Sequence, residues 1–190
     1  MMSRSRIAAV LALTALGALA ALGALAAPVP AAAGDVARVL PWTGPAPPFE
    51  LRDLAGKTHT LPDYLGRVVL VNFWATWCEP CLDEMPSMRR LQETMAGQPF
   101  TVLAVNYGES PARIVPFLER VGVGFPVLLD RGQKVARAWR VRILPASFLV
   151  GPDGRARYHV IGEIDWTSAE AVAAVQRLLE GNGAGGSPQR

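Results

Sequence analysis

Cysteine and histidine are scarce in this sequence, with two of each among 190 residues. That scarcity excludes the disulfide framework that staples many small secreted folds. It also leaves a zinc site short of the four ligands such sites use, because His59 and His159 lack the usual paired spacing. An excess of one charge is missing as well. Residues 1–33 hold two of the 19 basic residues, Arg4 and Arg6, and none of the 16 acids, so the remainder carries a net charge near +1. No run of Lys and Arg interleaved with aromatics occurs, so nothing points to nucleic acid as a partner. Charged residues make up only 18% and apolar ones 51%, which excludes a disordered chain. There is no internal repeat.

What the sequence does have begins with MMSRSRIAAVLALTALGALAALGALAAPVPAAAG. Arg4 and Arg6 precede an uncharged stretch over 7–27, and Ala24-Leu25-Ala26 and Ala31-Ala32-Ala33 both offer small-x-small cleavage patterns. The stretch is also long enough to span a bilayer. Export is therefore expected, with 1–33 serving as a signal peptide or as an N-terminal membrane anchor. Pro41, Pro45, Pro47 and Pro48 suggest an extended linker over 34–46, followed by a domain over 47–181 and a Gly-rich tail over 182–190.

Within the domain, Phe49-Glu50-Leu51 and Thr58-His59-Thr60 flank a turn-like stretch and read as a hairpin. VVLVNFW (68–74) is a continuous apolar, β-branched run that suits a strand covered on both faces. Cys78 onward reads as a helix, with Leu82, Met85, Met88, Leu91 and Met95 on one stripe. A second buried strand follows at 100–106, then a helix opened by Pro111, then a short strand at 127–129. Gly151-Pro152-Asp153-Gly154 joins two strands as a hairpin, and Thr167 or Ser168 caps a last helix. This order gives an α/β fold with a central mixed sheet flanked by helices.

The chemistry centres on Trp77-Cys78-Glu79-Pro80-Cys81, which follows a buried strand and opens a helix. Two cysteines three positions apart close too small a loop to constrain the unfolded chain, so reactivity explains the spacing better than stapling does. Free N–H groups and the positive end of the dipole lie at a helix N-terminus. A thiol there ionises more readily than a free cysteine, whose pKa is about 8.5. Cys78 at the exposed lip is the expected attacking thiolate. Cys81, one turn inward, is expected to resolve the mixed disulfide. Glu79 and Pro80 tune the redox poise, and Trp74 and Trp77 are expected to pack around the site.

The segments VVLVNFWATWCEPCLDEMP, FELRDLAGKTHTLPDYLGR, FPVLLD and ILPASFLVGPDGR occur here in order, and the chain over 47–179 resembles the TlpA/ResA/DsbE-type thioredoxin-like proteins, exported or membrane-tethered bacterial reductases. The resemblance implies a thioredoxin-like fold with an N-terminal β-hairpin extension. It also implies that Pro145 is a cis-proline facing the cysteines and that the backbone at Leu144 pairs with substrate. Glu84 matches an acidic residue near the cysteines and would move a proton during exchange. Asn72 stands where thioredoxin itself carries a buried Asp. Ile143 replaces a Gly of many relatives and would narrow the groove.

By the same resemblance the activity is periplasmic protein-disulfide reduction, with apocytochrome c as a target and a membrane thiol reductant of the DsbD/CcdA type as electron source. The chain would act as a monomer with no metal or organic cofactor. Two alternatives stay open. A peroxiredoxin-like peroxidase would need Thr76 near a peroxidatic cysteine, with Arg137 or Arg142 folded back on it. A copper-binding thiol module of the Sco type would need a histidine beside the pair, whereas CEPC has one residue fewer between its cysteines than those proteins.

Overall fold

The computed structural model describes residues 38–181. The expectations for 1–33, for the start of the linker and for the tail over 182–190 fall outside them. The elements run β1 Leu40–Pro41, β2 Glu50–Arg52, β3 Thr58–Thr60, a 3-10 turn Leu61–Tyr64, β4 Val68–Trp74, α1 Glu79–Thr94, β5 Phe100–Tyr107, α2 Pro111–Val121, β6 Val127–Asp130, α3 Lys134–Ala138, β7 Ala146–Val150, β8 Ala156–Ile161 and α4 Ala169–Gly181. A six-stranded mixed sheet has the order β1-β8-β7-β4-β5-β6, and β2 and β3 form a separate hairpin. The pairs β4–β5 and β5–β6 are parallel; β4–β7, β7–β8 and β8–β1 are antiparallel.

The position of β4 explains its composition. Every one of its seven residues is buried. Side chains alternate across a strand, and here Val68, Leu70 and Trp74 pack with Met85, Met88 and Leu91 of α1 and Ala171 and Val175 of α4. Val69, Val71 and Phe73 pack on the other face with Trp139, Phe148, Phe49 and Leu61. Asn72 is the one polar residue of the strand and lies on the α1 face, where it meets Glu84.

The linker expectation for 34–46 is corrected from Leu40 onward. Leu40 and Pro41 pair with His159 and Tyr158 as an edge strand, the Trp42 N–H donates to the Arg157 carbonyl, and the Trp42 ring packs edge-on to Phe148. An edge position explains how a Pro-rich stretch joins the sheet, since an edge strand tolerates a missing donor. The domain thus starts before residue 47.

The hairpin is pinned by His59, which is 3% exposed and bridges Asp53 Oδ2 at 2.9 Å and the Tyr64 hydroxyl at 2.5 Å. At the other end, Ser168 rather than Thr167 caps α4. Its Oγ accepts from the Ala171 N–H at 3.3 Å. Ser168→Ala should therefore cost about 1 kcal/mol of stability in urea unfolding; an unchanged midpoint would remove the cap from the account. Among the described residues no helix is long and apolar enough to cross a membrane.

Candidate active site

The loop 75–77 leaves the carboxyl end of β4 and turns directly into α1, because the Cys78 N–H bonds back to the Ala75 carbonyl at 3.2 Å. Cys78 is the N-cap, with extended backbone, and Pro80 occupies the first helical turn, where a missing N–H costs no hydrogen bond. Cys78 and Cys81 are joined as a disulfide, so the structure shows the oxidised state. The expectation of an exposed lip needs correction. Cys78 is only 5% exposed and, bonded to Cys81, packs within the apolar cluster beneath α1. Cys81 is fully buried at 0%, so a substrate arriving from solvent reaches Cys78 first.

Trp77 departs from expectation more strongly. Trp74 is buried as expected and packs at a tilt against Phe117, but Trp77, next to Cys78, is 60% exposed. Glu79 and Pro80 are exposed alongside it. The Leu144–Pro145 peptide bond is cis, Pro145 is buried and Leu144 is half-buried. The register pairs Phe73 with Ala146, which places Pro145 at the end of β4 from which the cysteine loop emerges. Ile143, next to it, is 61% exposed.

Glu84 lies three residues beyond Cys81 and so shares its helix face. It is 1% exposed. Asn72 Nδ2 donates to its Oε1 at 2.5 Å and also to Ser147 Oγ at 2.9 Å, while the Ile164 N–H reaches Oε2 at 3.5 Å. Burial pushes the Glu84 carboxyl up to about 8, against the opposite pull of Asn72, the Ile164 amide and the Trp166 side chain. A carboxyl of that kind is largely protonated at neutral pH and can take or give a proton there.

Most of the residues on which the alternatives depend are engaged elsewhere, and Arg142 is exposed. The Thr76 hydroxyl donates to Glu109, and Arg137 bonds the Gly132 carbonyl from the surface. His59 is held by Asp53 and Tyr64, and His159 stacks against Phe148 on the sheet face opposite the cysteines. Neither histidine stands beside the pair. Sequence reading missed Asn106 and Glu109, which carry the carboxylate contact to Thr76. The signal available was the polar stretch Asn106-Tyr107-Gly108-Glu109-Ser110 at the end of a buried strand parallel to β4.

Residues 43–159 match the AhpC/TSA family. The chain is 43% identical over 117 residues to the thiol-disulfide oxidoreductase ResA of Geobacillus thermodenitrificans, covering 62% of this chain and 67% of that one. It is 42% identical over 117 residues to ResA of Bacillus subtilis, covering 62% and 65%. Among solved structures, a thiol:disulfide interchange protein of the thioredoxin family from Chlorobium tepidum superposes with a TM-score of 0.63 at 27% identity, covering 71% of this chain and 95% of that one. The exposed lipoprotein thioredoxin Etrx1 of Streptococcus pneumoniae gives a TM-score of 0.59 at 26% identity, covering 71% and 99%.

Proposed function

Because the chain belongs to the AhpC/TSA family and is a thiol–disulfide oxidoreductase of the thioredoxin-like kind, we propose that it works outside the cytoplasm as a reductant of protein disulfides, those of apocytochrome c among them. The observation that carries this reading is the Cys78–Cys81 disulfide at the head of α1, with Cys78 at the N-cap slightly exposed, Cys81 fully buried, and the buried Glu84 three residues further along the same helix. The resemblance of the CEPC segment to that of the TlpA/ResA/DsbE-type reductases motivates the reductive direction, and the charge pattern of 1–33 supports export to the periplasm, either soluble or tethered to the inner membrane.

The reaction conserves two electrons. The thiolate of Cys78 attacks one sulfur of the substrate disulfide, and the second substrate sulfur leaves as a thiolate. Cys81 then loses its proton and attacks the Cys78 sulfur. The substrate departs as a dithiol and the Cys78–Cys81 disulfide is restored. In this reading Glu84, in its ionised form, accepts the Cys81 proton from the same helix face. A membrane thiol reductant of the DsbD/CcdA type returns the electrons, since a periplasm has no glutathione buffer. Leu144 and Pro145 present the edge along which the substrate backbone lies, and Trp77 flanks it.

A peptide containing C-x-x-C-H, the haem-attachment pattern of c-type cytochromes, tests the direction. The reduced protein should convert the oxidised peptide to its dithiol, one peptide per protein. Preferred oxidation of the dithiol peptide by the disulfide form would reverse the reading. Trp77→Ala should change stability by no more than about 0.5 kcal/mol, since the ring is exposed. It should raise KM for a protein disulfide several-fold. An unchanged KM would remove Trp77 from the docking surface.

A further inference from the structure

In the loop that leads to Cys78, Ala75 and Cys78 itself pack into the core, but the two residues between them do not. Ala75 is buried, but Trp77 is exposed, and Thr76 lies between them. Thr76 is held chiefly by a carboxylate from the neighbouring loop, with Arg113 Nε also reaching its hydroxyl oxygen at 3.4 Å. The Thr76 N–H donates to Glu109 Oε2 at 2.7 Å, and its hydroxyl donates to Oε1 at 2.6 Å. Asn106 Nδ2 donates to Oε2 at 2.9 Å, and its Oδ1 accepts the Glu109 N–H at 3.0 Å. Arg113 Nε stands 3.1 Å from Oε1.

The Glu109 side chain is 7% exposed and Asn106 is fully buried. Burial alone pulls the carboxyl up, and the donors from Thr76 and Asn106 with the charge of Arg113 outweigh it, leaving it below its ordinary value. It is thus a buried anion satisfied on both oxygens, an arrangement that is costly to disturb. Its partners come from three places: the cysteine loop, the end of β5 and the first turns of α2.

In the oxidised protein the S–S bond also ties Cys78 to α1. That tie is lost each time the disulfide opens, when the backbone bonds of Cys78 to Ala75, Cys81 and Leu82 remain and the loop before it has to keep the side chain over the helix N-terminus. We propose that Glu109 is a positioning residue that holds the Cys78 thiolate at the mouth of α1 in the reduced enzyme by anchoring the backbone and hydroxyl of Thr76. The proposal rests on Cys78 being the attacking sulfur. It assigns to Asn106 the task of aiming the carboxylate and to Arg113 that of balancing its charge from the rim.

The test uses the reduced full chain and two readouts, the rate of disulfide reduction and the pH midpoint of Cys78 alkylation. Glu109→Gln keeps the size of the side chain but turns one acceptor into a donor facing other donors. It should slow reduction at least tenfold and move the alkylation midpoint upward by half a unit or more. The sign of that shift is decisive. Removing a nearby negative charge without loss of position would move the midpoint down, because a thiolate is then less repelled. Thr76→Val should slow reduction several-fold with an upward shift of its own, and Thr76→Ser should lie within twofold of the parent on both readouts. A midpoint that is unchanged or lowered in the folded variants overturns the proposal, even if the rate falls. If Glu109→Gln does not fold, Thr76→Val and its serine rescue decide the matter by the same criteria. Alkylation of Cys81 before Cys78 in the parent protein would instead undo the assignment of the nucleophile on which this rests.

Discussion

Cys78→Ser is expected to reduce turnover of a protein disulfide to the uncatalysed background, whereas Cys81→Ser stalls after the first exchange and accumulates a covalent mixed disulfide. The two sulfurs differ in position and therefore in role. Cys78 is the N-cap, with some exposure, and Cys81 is fully enclosed one turn along the helix. Only an attacking sulfur that solvent can reach meets a folded partner, and only a second sulfur within bonding range can release it. Thiol-trapping gels and intact mass of each variant after mixing with an oxidised protein check this. Persistent activity of Cys78→Ser, or trapping through Cys81 when Cys78 is replaced, would exchange or abolish the roles.

The second large effect concerns Glu84. Its carboxyl, pushed up to about 8 by burial, binds a proton in the folded state that the unfolded chain gives up near the ordinary value of 4.5. Between those values the folded form holds more protons, so stability falls as pH rises. The contribution is complete below about 4.5 and gone above about 8, and within that window it changes by roughly 1.4 kcal/mol per pH unit. Glu84→Gln removes the titration while keeping a polar group opposite Asn72. Urea unfolding of the variant at pH 5, 6.5 and 8 should therefore show a flatter profile than the parent, with the largest gain at pH 8. Asp53 and Glu109, both held below their ordinary values, lose their contributions only in more acid solution and do not interfere. The same variant should slow release of the reduced substrate on the order of a hundredfold, the usual range for losing a general acid–base group. A parent and a variant with parallel pH profiles would show that Glu84 is ionised in the folded protein.

The sequence made those parts of the fold legible in which local chemistry and burial agree. β4 is β-branched and apolar throughout because both of its faces are covered, Pro111 opens α2 where its ring fits, and the Asp153-Gly154 turn closes β7 onto β8 with Gly154 at a positive φ. The cysteine pair was legible because its place between a buried strand and a helix fixes its environment. Less legible were features set by tertiary contact against local preference. A large aromatic ring is usually covered, yet Trp77, on the short loop between β4 and α1, is 60% exposed. Leu40 and Pro41 sit in a Pro-rich stretch and join the sheet only because β8 offers an edge. The Glu109 contacts join residues 33 positions apart in sequence, brought together by the parallel pairing of β4 and β5, so no spacing rule exposes them.

Titration of the purified protein against glutathione tests the central claim most directly, since a working pair has to open and close reversibly within reach of its partners. The account predicts one two-electron transition between about −200 and −300 mV, with Cys78 and Cys81 free on the reduced side. A bond that stays closed under the most reducing mixtures would make it a structural tie, and opening near −120 mV, the range of a strong oxidant, would contradict the reductive direction.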